Sequence, residues 1–302
     1  MKLSKRTLIL VTSLVLAMSL SVFGTVAYLT SSQTVTNTFT VGDVQITLTE
    51  TDVDEDGNPK FPVDTDNDGK ADIEVSVEPD GTIRVDPTPD NDDDPQNDVV
   101  IKPGETGTVT DGDGNTVTVE GEEGGKVTVT ENGKDPVTVD PATAEPSRDM
   151  GNEYNMVPGK SFKKDPVVTV VADSEDCYVR FRVTLNSYAA LKAIFTDAQD
   201  ADLLGKFVNV NTTDWTLKAA AADATADTVT YEFRYKEIVK GTNADVELPA
   251  LFDTFTVPGE LTGDQLKTLA TLEMEVVADA IQTVAFETED EAWTAFGNQY
   301  GN

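Results

Sequence analysis

Cys177-Tyr178-Val179-Arg180-Phe181-Arg182-Val183-Thr184-Leu185 sets apolar and polar residues in alternation over nine positions. Successive side chains of a strand point to opposite faces, so this stretch predicts a half-buried β-strand. Its neighbours carry the same signature. Val167-Val168-Thr169-Val170-Val171, Trp215 to Leu217, Thr228 to Tyr235, Thr254 to Val257 and Leu272 to Val284 are rich in β-branched and aromatic residues. Far upstream, Val44, Ile46 and Leu48 alternate against Gln45, Thr47 and Thr49. Helix signals are fewer: Ser187 to Phe195 with Asp200 to Phe207, Thr262 to Thr268, and Thr288 to Phe296, the last opening on a Thr288/Glu291 capping box. Many strands with short helices in their connections predict a mainly β fold, a two-sheet β-sandwich with short helical decorations. Residues 149–302 supply the main part of it, and residues 28–50 an N-terminal arm and a first strand.

Between these parts lies an acidic Asp/Gly/Thr-rich insert, residues 51–148, in which Phe61 is the single aromatic residue. Such a composition predicts no large core. Its first part, residues 51–75, holds two acidic loops. Asp64-Thr65-Asp66-Asn67-Asp68-Gly69-Lys70-Ala71-Asp72 places oxygen donors at positions 1, 3, 5 and 9, a glycine for the sharp turn, and the Lys70 carbonyl at position seven. It resembles the calcium loops of dockerins and thrombospondin type 3 repeats. Position 12 is Val75 where an EF-hand has a bidentate acid, with Glu74 one residue out of register, so calcium affinity is expected in the range of about 10⁻⁴ to 10⁻³ M. Asp52, Asp54 and Asp56 ahead of Gly57 form a shorter loop of the same kind. The alternative for both is a solvated acidic linker, which is also the expectation for Asp90 to Asp94. Residues 105–140 repeat with a period of ten, aligning Val117, Val127 and Val137, then Val119, Val129 and Val139. Turn-forming stretches separate them, which predicts a small β-meander or solenoid with a thin valine core.

The chain opens with Lys2, Lys5 and Arg6 before an apolar run from Leu8 to Phe23, the order of a secretory signal. At roughly 16 residues that run is short for a bilayer, which needs about 20. Gly24-Thr25-Val26-Ala27 supplies the small residues that a signal peptidase reads, so residues 1–27 are expected to be removed between Ala27 and Tyr28, with an uncleaved membrane anchor as the alternative. With 22 basic and 55 acidic residues the net charge is −33, and losing those three cations leaves 19 against 55, or −36. Such a surface repels nucleic acid and anionic membranes and suits divalent cations or cationic wall polymers. Membrane contact is expected only through the signal peptide before cleavage. There is no histidine, which removes the usual general base, the Ser-His-Asp and Cys-His arrangements and His-Glu-x-x-His zinc sites. The single Cys177 closes no internal disulfide and reads as a small buried hydrophobe, with an inter-subunit thiol link as the alternative.

Four stretches in order, Gly24-Thr25-Val26-Ala27-Tyr28, Asn37 to Leu48, Val157-Pro158-Gly159-Lys160 leading into Lys164-Asp165-Pro166, and Tyr178-Val179-Arg180, resemble the TasA/camelysin (CalY) family, whose members carry a SipW-type signal peptide. The resemblance covers residues 1–50 and 150–302 and skips the insert. It implies a jelly-roll-like β-sandwich and a secreted structural subunit of fibres in a biofilm matrix or on the cell surface of a Gram-positive-type bacterium. It implies self-association, with other matrix or cell-wall components as further partners, through an N-terminal segment that adds a strand to the neighbouring subunit. Here that segment is Tyr28 to about Thr40, with Tyr28, Leu29, Val35 and Phe39 as its apolar side chains. Strand addition is physically sound, because unpaired backbone groups at a sheet edge accept a further strand. The alternative is a monomeric adhesin or ligand-binding module whose arm pairs with its own domain. Some camelysin relatives are described as metallopeptidases, but zinc peptidases generally need histidine ligands, so no enzyme is expected.

Overall fold

The computed structural model describes residues 30–34, 37–38, 44–54, 56–88, 98–122, 124–148, 152 and 154–300. The signal segment with Ala27, and Tyr28, Leu29, Val35 and Phe39 of the arm, lie outside the described residues. In chain order the strands begin with β1 (Thr30–Thr34), β2 (Asn37–Thr38) and β3 (Ile46–Thr49). The insert follows with β4 (Lys60–Val63), β5 (Ile73–Val77), β6 (Ile83–Asp86), β7 (Val99–Ile101), β8 (Thr106–Thr110), β9 (Thr116–Gly121), β10 (Val127–Glu131) and β11 (Val137–Val139). Then come β12 (Ser161–Lys163), β13 (Val167–Val170), β14 (Cys177–Leu185), α1 (Tyr188–Ile194), β15 (Trp215–Asp223), β16 (Thr228–Tyr235), β17 (Val246–Glu247), β18 (Thr254–Thr256), α2 (Gly263–Thr268), β19 (Met274–Gln282) and α3 (Glu289–Tyr300).

The quoted stretch is β14, at the centre of a six-stranded antiparallel sheet ordered β15-β16-β14-β19-β1-β2. Its apolar positions Val179, Phe181, Val183 and Leu185 are fully buried. They pack with Val44, Ile46 and Leu48 around β3, Val168 and Val170 of β13, and Phe162 and Phe255 from the β12-β18 pair. The facing layer consists of the three-stranded sheet β17-β13-β3 and that two-stranded pair. Trp215 closes the core against Phe181, ring centroids 4.7 Å apart, and its indole N–H donates to the Pro249 carbonyl at 2.9 Å. The fold is thus mainly β, a sandwich with few and short helices, in the arrangement that the alternation predicts.

The polar face of β14 is covered at Arg180 and only partly exposed at Tyr178, Arg182 and Thr184. Arg180 is 2% exposed, and its guanidinium lies under Trp293 and Phe296 of α3, at 4.4 and 5.0 Å from the ring centroids. Its Nε donates to Asp279 of β19 at 2.9 Å and its NH1 to Glu232 of β16 at 3.1 Å, while Arg182 Nε also donates to Asp279 at 2.9 Å. One fully buried carboxylate of β19 therefore holds two guanidiniums of β14, and Glu232 carries the network to a third strand.

The insert departs most from expectation. Strands β4 to β11 run as one antiparallel meander, folded into the sheets β4-β5-β6-β7 and β11-β10-β9-β8, with β7 beside β8 and β11 beside β4. Phe61, Val63, Ile73, Val75, Ile83, Val85, Ile101, Val109, Val117, Val119, Val127, Val129 and Val139 are buried in a common core. The reading of residues 51–148 as lacking a sizeable core is corrected: alternation in Ile73-Glu74-Val75 and Ile83-Arg84-Val85 suffices once two sheets face each other. Gly121 permits the close approach, since a Cβ there would come within 2.6 Å of Ile83 Cδ1. The ten-residue repeats form the predicted meander, pairing Val119 with Val129 and Val129 with Val137.

A polar joint ties the insert to the sandwich. Asp165 accepts from Thr51 N and Oγ1 at 2.8 and 2.9 Å and from Arg148 NH1 at 3.1 Å. Lys164 Nζ donates to both oxygens of Glu50 at 2.9 Å, and Asn152 bridges Glu50, the Thr51 carbonyl and the Val53 amide. Removing one partner from a buried ion group leaves an uncompensated charge, at a cost of about 3–5 kcal/mol. Asp279→Ala, which takes the shared carboxylate from Arg182 and leaves Arg180 with Glu232 alone, is accordingly expected to lower unfolding stability by that amount in urea titrations monitored by tryptophan fluorescence.

Candidate functional site

The N-terminal segment is paired within its own chain. β1 runs antiparallel to β19, in the register Thr30 to Ile281, Ser32 to Asp279 and Thr34 to Val277, and β2 folds back on it through Gln33 and Thr38. β1 also approaches β3 of the facing layer, so it lies where the two sheets come together at one side of the sandwich. β19 is buried from Val276 to Gln282. Withdrawal of β1 would leave that strand with an unpaired edge, which is what an incoming strand needs.

The first acidic loop forms an anchor. Asp54 is buried, accepting from the Asp56 and Asn58 amides at 3.0 and 2.9 Å and from Ser76 Oγ at 2.6 Å. Asp52 faces Lys60 at 3.7 Å, and Asp56 meets Lys160 at 2.7 Å and Arg84 at 3.4 Å. The Lys160 ammonium holds the Asp56 carboxyl below its usual range. Gly57, at φ +83°, sits against Phe162 of the sandwich. Protein cations and hydroxyls thus already face Asp52, Asp54 and Asp56.

The second loop is arranged differently. Asp64, Asp66 and Asp72 each bring one carboxylate oxygen within 4.8 Å of the others. Ligand distances of about 2.3–2.6 Å place the oxygens around a calcium ion up to about 5 Å apart, so the three fit one ion. Asp64 accepts from the amides of Asp66, Asn67 and Gly69, and these bonds, that from Gly69 foremost, hold its carboxyl below the usual range. Asn67 and Gly69 take positive φ, 61° and 90°, to complete the turn. Asp68 lies apart from the trio, its Oδ1 accepting from the Lys70 amide at 2.9 Å.

Two neighbours of this loop come from the repeats and were not visible in the spacing. Glu131 Oε2 and Asp72 Oδ2 both lie at hydrogen-bond distance from Thr65 Oγ1, at 2.7 and 2.6 Å, and Lys134 Nζ lies 3.4 Å from Asp66. They arrive because the meander closes, setting the β10-β11 turn against the loop after β4. Only a three-dimensional closure brings residues more than sixty positions apart together, so no local signal announces them.

Other reactive groups are withdrawn from solvent. Cys177 is fully buried and burial pushes its thiol up to about 12, so the inter-subunit link gives way to the small-hydrophobe reading. Among the described residues no helix is long and apolar enough to cross a membrane. Compared with family models, curated proteins and solved structures, the chain matches none.

Glu74 is the unusual carboxylate. It lies on the face of β5 opposite Ile73 and Val75, and burial pushes it up to about 7, with the nearby Asp52 charge adding to the shift. The folded state therefore binds this proton more tightly than the unfolded chain, whose value is 4.5. Its contribution to stability grows as pH falls from about 7 towards 4.5 and is lost as pH rises through 7, by up to about 3 kcal/mol. Glu74→Gln is expected to flatten that part of the stability profile, measured by urea midpoints at pH 5 and pH 8 against the parent.

Proposed function

We propose that this chain is a secreted structural subunit that joins its neighbours into extracellular fibres by exchange of the N-terminal strand, without catalysis of its own. The observation that carries this is the pairing of β1 with β19 at the side of the sandwich. A short, polar strand, Thr30-Ser31-Ser32-Gln33-Thr34, follows the expected cleavage position and lies on an otherwise buried strand. The lack of histidine and the buried thiol support a structural rather than an enzymatic role. The order of motifs that resembles the TasA/camelysin family supports the same assignment, as do the signal-like first residues and the strongly acidic composition. The same pairing within one chain also suits a monomeric ligand-presenting module, the second reading.

Sedimentation and electron microscopy separate the two, comparing residues 28–302 with a chain beginning at Val41. Strand exchange predicts filaments from the longer protein and none from the shorter. Filaments that survive the truncation, or a longer protein that stays monomeric under all conditions, would overturn the proposal.

Calcium belongs to this proposal through Asp64, Asp66 and Asp72, with the ion drawing the two ends of the β4-β5 loop together and stiffening the insert as a spacer. Titration calorimetry of the parent is expected to show binding at about 10⁻⁴ to 10⁻³ M. Asp64→Asn with Asp72→Asn is expected to abolish it, and an isotherm unchanged by that pair sinks the assignment.

A further inference from the structure

The open edge at the other end of the six-stranded sheet is β15. It spans nine residues, Trp215–Asp223, and among the described residues its only strand partner is β16, while the 3₁₀ turn Asp200–Asp202 packs close to it. The opposite edge is the two-residue β2, and the three-stranded sheet ends in the two-residue β17 and the four-residue β3. From Leu217 to Asp223 every residue is exposed except the half-buried Ala220, and Leu217 is 41% exposed. The run Ala219-Ala220-Ala221-Ala222 offers no side chain beyond Cβ to hold a second backbone away. A long edge strand of this kind is a template for pairing unless charge or a bulge guards it.

The guard is Lys218, in the bulge between Leu217 and Ala219. It lies 3.6 Å from Glu289 of α3 and its side chain keeps 39% exposure. An in-register parallel partner would set Lys218 against Lys218 and Asp223 against Asp223. An antiparallel copy related by a two-fold axis through Ala221 does the reverse. It sets Ala220 against Ala222 and brings the bulged Lys218-Ala219 pair opposite Asp223, twice over. Ala219, Ala221 and Asp223 then share one face, as antiparallel partners must.

We propose that β15 is a self-complementary dimer edge, through which two copies join their sheets into one continuous twelve-stranded sheet. The occupant is a second copy of this chain, selected by the Lys218 to Asp223 match. The contact is isologous and closes at two copies, whereas strand exchange at the N-terminus is open-ended. It stands whether or not the fibre proposal does.

The test uses residues 28–302 at about 0.15 M salt, where repulsion between the acidic surfaces is screened beyond about 8 Å. Sedimentation over a dilution series is expected to show a reversible monomer–dimer equilibrium. Amide hydrogen exchange across Thr216 to Ala222 is expected to slow as concentration rises. Lys218→Glu is expected to weaken the dimer at least about tenfold, and Lys218→Glu combined with Asp223→Lys to restore it, with melting curves verifying that each variant folds. Exchange at β15 that does not depend on concentration overturns the proposal, as does a dimer indifferent to Lys218→Glu. Filaments that persist in Lys218→Glu while the dimer is lost identify the N-terminal strand as a separate contact.

Discussion

Asp165 is the group on which the two halves of the molecule depend. It gathers the amide and hydroxyl of Thr51, where the chain leaves the sandwich, and the guanidinium of Arg148, where the chain returns. Beside it the Lys164–Glu50 pair is equally buried, each side chain 9% exposed. A long insertion costs little extra closure entropy once its ends are fixed close together. Here that fixing rests on a few charge-assisted bonds within a dry joint, where each is stronger than at the surface. The Asp52 amide to Ser147 carbonyl bond and the Ser147 amide to Lys60 carbonyl bond then extend the joint into β4.

The scarcity of cations explains where they sit. Arg84 faces Asp54, Asp56, Glu78 and Asp98, and Arg234 faces Glu232, Glu289 and Asp290. Each is a hub for several acids rather than one member of a simple pair. An acidic chain stabilised in this way has little tolerance for losing an arginine, since one removal releases several like charges at once. In the loop after β4, by contrast, Asp64 and Asp72 are held by backbone amides and a hydroxyl rather than by a cation, and Asp66 has Lys134 at 3.4 Å.

Much of the sandwich was legible because its strands alternate cleanly. Thr228–Tyr235 is strand from end to end as predicted, and Thr262 caps α2 with Gln265 in a reciprocal pair. The strand beginning at Trp215 runs six residues past the predicted Leu217, because alanine has weak strand preference and only pairing with β16 holds it extended. The segment Asp200 to Phe207 forms two short 3₁₀ turns rather than a helix. The first half of the insert was misread because its few apolar residues are diluted by aspartates that serve turns and ion pairs. In the candidate loop, spacing singled out Asp64, Asp66 and Asp72 but also included Asp68, which turns to its own backbone. Sequence distance hid Glu131 and Lys134 altogether.

The position of β1 has a kinetic consequence. A segment already laddered to β19 is not a free end waiting for a partner, so joining two chains there exchanges one set of backbone bonds for another of the same kind. The net drive is only the difference between the two pairings, while the rate is governed by how often the strand peels from its own chain. Under the proposed strand exchange such a subunit stays single until its own strand peels away, and growth by addition becomes a matter of waiting time as much as of affinity.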